Sequence, residues 1–145
     1  MKLLIQRVNS ANVNVNSEIV GEINKGIVVF LGISKEDTYE KLEWGANKLS
    51  KIRLWESNEK GFDLNINDIN GEVLIVSQFT LEGDLSKGNK PNFAPAAEYE
   101  MAKNYYEKFI ELCKSNNLSV STGIFGADMK VNLENDGPVT LIVEK

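Results

Sequence analysis

Runs of Val, Ile, Leu and Phe bounded by Gly, Asn or Asp recur along the chain, at residues 2–8, 26–33, 72–80, 128–133 and 139–143. Their length and composition predict strands. Between the first two, Ala11-Asn12-Val13-Asn14-Val15 alternates with a period of two, as a strand with one wet face does. Residues 18–20 predict its short hairpin partner. Two segments change period. From Asp37-Thr38-Tyr39-Glu40, whose acidic groups are spaced like a capping box, Leu42, Ala46, Leu49 and Ile52 fall on one helical face. After Pro95, Met101, Tyr105, Phe109 and Leu112 do the same, and Ser115-Asn116-Asn117 marks the end of that helix. Cys113 neighbours the apolar stripe and reads as a packing residue. Strands dominate, joined by hairpins and two main helices. The expected fold is mixed α/β (α+β-like), with a curved sheet or small β-barrel rather than a doubly wound sheet.

Length and composition narrow this picture. The 145 residues hold no repeat, low-complexity tract or Pro/Gly/Ser-rich linker, so one domain over residues 1–145 is expected. No stretch approaches the roughly 20 apolar residues of a membrane span. The opening MKLLIQRVNSANV is interrupted by Gln6 and Arg7 and reads as a first strand rather than a signal peptide. With a single cysteine, the expected compartment is the cytoplasm. Sixteen Lys and Arg against 21 Asp and Glu leave a net charge of −5. That argues against DNA or other long nucleic acid, whose phosphates need clustered cations, but leaves room for one nucleotide or an RNA end.

The chain has no histidine. A Ser-His-Asp triad, a Cys-His pair, an H-E-x-x-H zinc site and an imidazole shuttle are therefore excluded. One cysteine likewise excludes an intrachain disulfide and a CxxC knuckle. No metal or cofactor is expected. Acid–base work falls to carboxylates, lysine, backbone dipoles or the substrate.

Four segments are candidates for chemistry. Ser77-Gln78-Phe79-Thr80-Leu81 turns polar abruptly after Val73-Leu74-Ile75-Val76. It supplies hydroxyls, an amide and backbone N–H groups where a strand leaves the core, the parts of an oxyanion hole; from residue types alone a wet sheet face is the commoner reading, Thr being an ordinary strand residue. Asn135-Asp136-Gly137-Pro138 is a turn signal, expected between the last two strands. Gly-Pro is also where a cis peptide costs only about 0.5–1 kcal/mol, and a cis bond would present two carbonyls to an ammonium group. Gly88-Asn89-Lys90-Pro91-Asn92-Phe93-Ala94-Pro95 joins an aromatic to Lys87 and Lys90. It suits either an RNA-end contact or a hydrophobic staple for the next helix. In Gly123-Ile124-Phe125-Gly126-Ala127-Asp128-Met129, glycines flank Phe125 and allow close backbone approach. Neither GxGxxG nor a P-loop is present, so dinucleotide and NTP sites lack support.

SQFTL, followed sixty positions later by the Gly of NDGPVT, resembles the D-aminoacyl-tRNA deacylase family. The likeness extends through LLIQRV, INKGIVVFLGISKEDT, GFDLNINDINGEVLIVSQFTLEGD, GNKPNFAPAA and FGADMKVNLENDGPVT, nearly the whole chain. It implies hydrolysis of the ester between a D-amino acid and the tRNA 3′ end, with glycyl-tRNA as a further substrate class. It also implies a homodimer in which the Gly137–Pro138 loop, with a cis bond, enters the partner's pocket and reads the substrate's amino group. The loop would fill the space an L side chain needs. Ser77, Gln78, Phe79 and Thr80 match the segment lining the pocket around the terminal adenosine and scissile ester. Thr80 has been considered a nucleophile in such enzymes. With no histidine to take its proton, the preferred route is substrate-assisted, the terminal ribose 2′-hydroxyl activating water while backbone N–H groups hold the oxyanion. Phe125 resembles an aromatic near the adenine, and Arg7 an arginine that holds the Gly-Pro loop. Lys90 stands where arginine is usual before Pro91, and lysine lacks the bidentate grip on phosphate.

Two other readings compete: a same-fold proofreading enzyme for a mischarged L-amino acid, and a noncatalytic dimer that binds RNA ends. Lys87, Lys90, Lys103 and Lys108 are candidates for a local basic rim that would steer the acceptor end of aminoacyl-tRNA.

Overall fold

The computed structural model describes residues 1–58 and 61–145. Eight strands and two helices follow in order: β1 (Lys2–Val15), β2 (Glu18–Ile23), β3 (Gly26–Gly32), α1 (Tyr39–Lys51), β4 (Arg53–Trp55), β5 (Leu64–Asn65), β6 (Glu72–Ser77), α2 (Tyr99–Ser115), β7 (Ser119–Thr122) and β8 (Lys130–Glu144). The main sheet runs β2-β1-β3-β6-β7, with β8 on the other edge of β1. β1 pairs antiparallel with β2, β3 and β8, whereas β3-β6-β7 is parallel. The sheet curls until β2 meets β7. A Cβ at Gly21 would stand 2.2 Å from the Thr122 carbonyl oxygen, so only glycine permits this closure into a near-barrel.

Side-chain alternation divides the interior in two. On the helix side, Leu3, Ile5, Ile27, Val29, Leu31, Val73 and Ile75 pack under Leu42, Ala46 and Leu49 of α1 and Tyr106, Phe109 and Cys113 of α2. Inside the curl, Val28, Leu74 and Val76 join Val8, Ala11, Val13 and Ile23. β3 and β6 are covered on both faces, which is why they read as unbroken apolar runs. Residues 3 and 5 of β1 belong to the first core but 11 and 13 to the second. Strict alternation would forbid this; the β1–β8 register shifts between Val8 and Ser10 and supplies the change of face.

Several boundaries differ from the expectation. The strands expected at 2–8 and 11–15 are one bent strand, because Asn9 and Ser10 mark a bulge rather than a turn. Those expected at 128–133 and 139–143 are likewise one strand, with the Asn-Asp-Gly-Pro segment as an excursion within it rather than a hairpin. The strand expected to reach residue 80 ends at Ser77, and a single 3-10 turn, Phe79–Glu82, follows. The capping box does not form: Thr38 makes no side-chain cap, while buried Asp37 accepts bonds from the Ser34 amide, Lys41 Nζ and the Met1 amine. The short strands β4, β5 and β7 had no clear periodicity to announce them.

Cys113 is fully buried, in keeping with the packing reading, and burial pushes its thiol up to about 12. Burial also raises the Tyr106 phenol. Both groups hold their protons more tightly folded than unfolded, so their contribution is complete below the ordinary thiol value of 9.0 and is lost as pH rises above it. A melting temperature measured from pH 7 to 11 should therefore fall progressively above about pH 9. A flat profile would contradict the burial of these two groups.

Candidate active site

The end of β6 creates the polar step seen at Ser77. β7 stops pairing with β6 at Ile75, while β3 continues to Ser77. The Gln78 amide then donates to the Leu31 carbonyl at 2.8 Å, closing the ladder before the chain turns into Phe79–Glu82. The amides of Phe79 and Thr80 open that turn and have no hydrogen-bond partner among the described residues, as the first donors of a helical turn normally lack one. The turn is fixed from behind by Lys2. Its Nζ donates to the Leu81 carbonyl at 3.0 Å and lies 3.5 Å from the Glu82 carboxylate, itself buried beneath Gly32.

Beside this turn lies a cavity of about 520 Å³. Ser77, Gln78 and Phe79 form one wall, and Phe125, Gly126 and Met129 the opposite one; Ala97 and Tyr99 come from the approach to α2 and its first residue. Phe125 is held by two tyrosines, edge-to-face against Tyr99 at 5.2 Å and tilted against Tyr106 at 5.6 Å between ring centres. The buried Tyr106 hydroxyl donates to the Ile75 carbonyl at 2.9 Å, tying α2 to β6 just before the polar step. Every lining side chain is uncharged, Tyr99 being the only titratable one. Among the described residues, no group of three His, Cys, Asp or Glu side chains is placed to hold a metal ion.

Arg7, Gly137 and Pro138 form a second group, which does not line this cavity. The β1–β8 pairing passes from Gln6↔Thr140 to Val8↔Asn135, so Asp136–Val139 bulge out opposite Arg7. Gly137–Pro138 is a cis peptide, and both residues are exposed. Arg7 holds the bulge by its base. Nε donates to the Asp136 carbonyl at 2.9 Å and faces the Asp136 carboxylate at 3.5 Å, while Nη1 donates to the Leu54 carbonyl of β4. Asn135 ties the far side, its Oδ1 accepting from the Val139 amide at 2.8 Å and its Nδ2 donating to the Val139 carbonyl and the Thr140 hydroxyl. Gly137 has φ +138°, where a side chain would also crowd Val139 and the Arg7 guanidinium.

Thus Ser77, Gln78, Phe79 and Phe125 converge on one cavity. Thr80 does not line it; it stands exposed on the turn, its hydroxyl accepting from the Gln78 side-chain amide. Of the four lysines, Lys87 and Lys90 lie on the loop before α2, whereas Lys108 pairs with Glu111 and borders a separate groove with Tyr39 and Glu43. Sequence reasoning missed Lys2, Glu82, Tyr99 and Ala97, whereas Met129 lies in a segment it had singled out. Only the polar character of Lys2 and Glu82 amid apolar neighbours offered a signal, since the other two differ in nothing from ordinary packing residues. Among the described residues, no helix is long and apolar enough to cross a membrane.

The family model described as D-Tyr-tRNA(Tyr) deacylase matches residues 4–144. A D-aminoacyl-tRNA deacylase of Thermosipho melanesiensis is 50% identical over 145 residues, 99% of this chain and 97% of its own. One from Fusobacterium nucleatum subsp. nucleatum is 49% identical over 144 residues, covering 99% and 95%. Among solved structures, the c-Myc DNA unwinding element binding protein superposes with a TM-score of 0.94 at 41% identity, over 100% of this chain and 99% of that one. A probable eukaryotic D-amino acid tRNA deacylase has the same fold, with a TM-score of 0.83 at 18% identity over 98% and 97% of the two chains. A match over almost every residue, with relatives near half identity, leaves one assignment: the chain belongs to the D-Tyr-tRNA(Tyr) deacylase family of hydrolases.

Proposed function

We propose that the protein hydrolyses the ester of D-aminoacyl-tRNA, adding water to release the free D-amino acid and a tRNA with its 3′-hydroxyl restored. The observation that carries the mechanism is the uncharged cavity lined by Phe79, whose amide has no partner among the described residues at the start of the turn that adjoins it. Amide dipoles fixed in an apolar, low-dielectric site suit a developing oxyanion. A general base is absent from the lining, so the attacking water is activated by the 2′-hydroxyl of the substrate's terminal ribose. Ser77 and Gln78 border the ester, and the Phe125 ring faces the terminal adenine.

Chiral choice falls to the Gly137–Pro138 loop. In a homodimer each loop enters the partner's cavity, its carbonyls accepting from the substrate's ammonium group and its ring occupying the place of an L side chain. The exposure of both residues and their bracing by Arg7 and Asn135 support this reading. Glycyl-tRNA, with no side chain to reject, is a second substrate. DNA is not proposed as a ligand despite the name of the 41%-identical relative, because a net charge of −5 is poorly suited to a long polyanion.

A matched pair of D- and L-tyrosyl-tRNA tests the proposal. The D ester should be cleaved at least about a hundredfold faster in kcat/KM, the equivalent of roughly 2.7 kcal/mol of discrimination. Equal rates would refute chiral selection; tight binding without hydrolysis of either would favour a noncatalytic RNA-end binder.

A further inference from the structure

We infer that the Phe79–Phe93 aromatic pair, with Lys87 and Lys90 on the adjoining loop, is a second nucleotide subsite, which stacks the base preceding the terminal adenosine of a single-stranded RNA 3′ end. It rests on the aminoacyl-tRNA reading above and extends it by one nucleotide of substrate.

Phe79 is 55% exposed and Phe93 37% exposed. Isolated exposed aromatics are ordinary, but these two touch, with ring centres 5.0 Å apart and planes at 66°. Phe79 also lines the cavity, and Phe93, which does not, is one ring removed from it. Phe93 is braced rather than loose. A Cβ at Gly83 would approach its ring to 2.8 Å, so the ring lies flush on bare backbone. Its carbonyl accepts from the Ala96 amide at 3.0 Å, and Asp84 and Asn92 exchange both backbone hydrogen bonds at 2.8 and 2.9 Å just before it. A preformed aromatic surface of this kind binds bases through their faces and tolerates any sequence.

Charge points the same way. Asp84 and Asn92 close a loop that carries Lys87 and Lys90, both exposed and neither in an ion pair among the described residues. The acidic group at the loop's base is engaged, since the Asp84 carboxylate accepts from the Ser86 amide at 2.8 Å. Two cations without an ion pair among the described residues, on the loop that adjoins an edge-to-face aromatic pair, complement a phosphodiester. Confining phosphate contact to this loop is also how a chain of net charge −5 can hold an RNA end.

The test compares two non-hydrolysable probes in equilibrium binding: D-tyrosine joined by a 3′-amide to adenosine, and the same group on a 5′-CCA trinucleotide. The trinucleotide should bind about tenfold tighter at low salt, one stacked base being enough for that ratio. Phe93→Leu should bring the ratio close to one, Phe93→Tyr should preserve it, and Lys87→Ala with Lys90→Ala should flatten its salt dependence. A wild-type ratio near one, with the adenosine probe bound, would overturn the subsite and leave the deacylase reading standing. Failure of both probes to bind would overturn both. If Phe93→Leu altered sedimentation but not the ratio, the rings would belong to a contact between copies and the subsite would fall.

Discussion

A D-aminoacyl-tRNA whose terminal ribose carries hydrogen in place of its 2′-hydroxyl should be turned over at least about a hundredfold more slowly, whereas Thr80→Ala should lose less than about tenfold. The contrast follows from where bases and acceptors lie. The lining of the cavity carries no carboxylate, lysine or arginine, and the chain has no histidine. A hydroxyl nucleophile needs a partner to take its proton, and among the described residues the Thr80 hydroxyl contacts only the Gln78 amide. The Thr80 oxygen instead accepts a hydrogen bond from the Gln78 side-chain amide, which draws electron density away from a would-be nucleophile. Thr80 is also absent from the cavity lining and stands exposed on the turn. The ribose hydroxyl, by contrast, arrives with every substrate next to the scissile ester. Single-turnover hydrolysis of the two substrates by wild type and by Thr80→Ala separates the routes. A dead Thr80→Ala with an active deoxy substrate would make Thr80 the nucleophile.

Arg7→Ala should reduce kcat/KM for the D ester by about a hundredfold and erode the preference for D over L in the same variant. The guanidinium bridges two elements that no other described hydrogen bond joins at this point, the bulge at Asp136 and the end of β4 at Leu54. Its loss frees the loop on one side, and a displacement on the order of 1 Å at a reacting geometry costs about a hundredfold. Folding stability should fall by about 1–3 kcal/mol, as hydrogen bonds from a charged, largely buried group are removed and two carbonyls lose their donor. Arg7→Lys should rescue little, because one ammonium cannot reproduce the planar fork that reaches both carbonyls. The informative readout is the ratio of D to L cleavage, since a purely structural role would lower both rates together and leave that ratio intact.

Much of this architecture was legible in residue order. The two helices were placed by apolar spacing, and the buried strands by runs that need no periodicity once both faces are covered. Boundaries failed where one physical signal served two structures. Asn9-Ser10 and Asn135-Asp136-Gly137-Pro138 are turn-forming residues, yet here they make bulges inside strands. Local chemistry favours a change of direction in either case; the long partner strand decides whether the chain reverses or only detours. β7, four residues long with one apolar side chain facing the core, is held by parallel pairing to β6 rather than by propensity.

The candidate site divides along the same line. Residue identity alone excluded imidazole chemistry, an intrachain thiol pair and metal sites that need histidine or several cysteines, because a side chain that is absent cannot be supplied by folding. It also marked SQFT and Gly-Pro as exceptional and, through family resemblance, joined them to Arg7 and Phe125. Tertiary structure separated those residues into two places. Ser77, Gln78, Phe79 and Phe125 meet because β6 ends beside the segment returning to β8, whereas Arg7, Gly137 and Pro138 gather where β8 bulges away from β1. It also set Thr80 outside the cavity it adjoins and left the Phe79 and Thr80 amides free. Composition is a property of the chain, but an open amide or a cavity without charge is a property of what the fold brings near and what it leaves out.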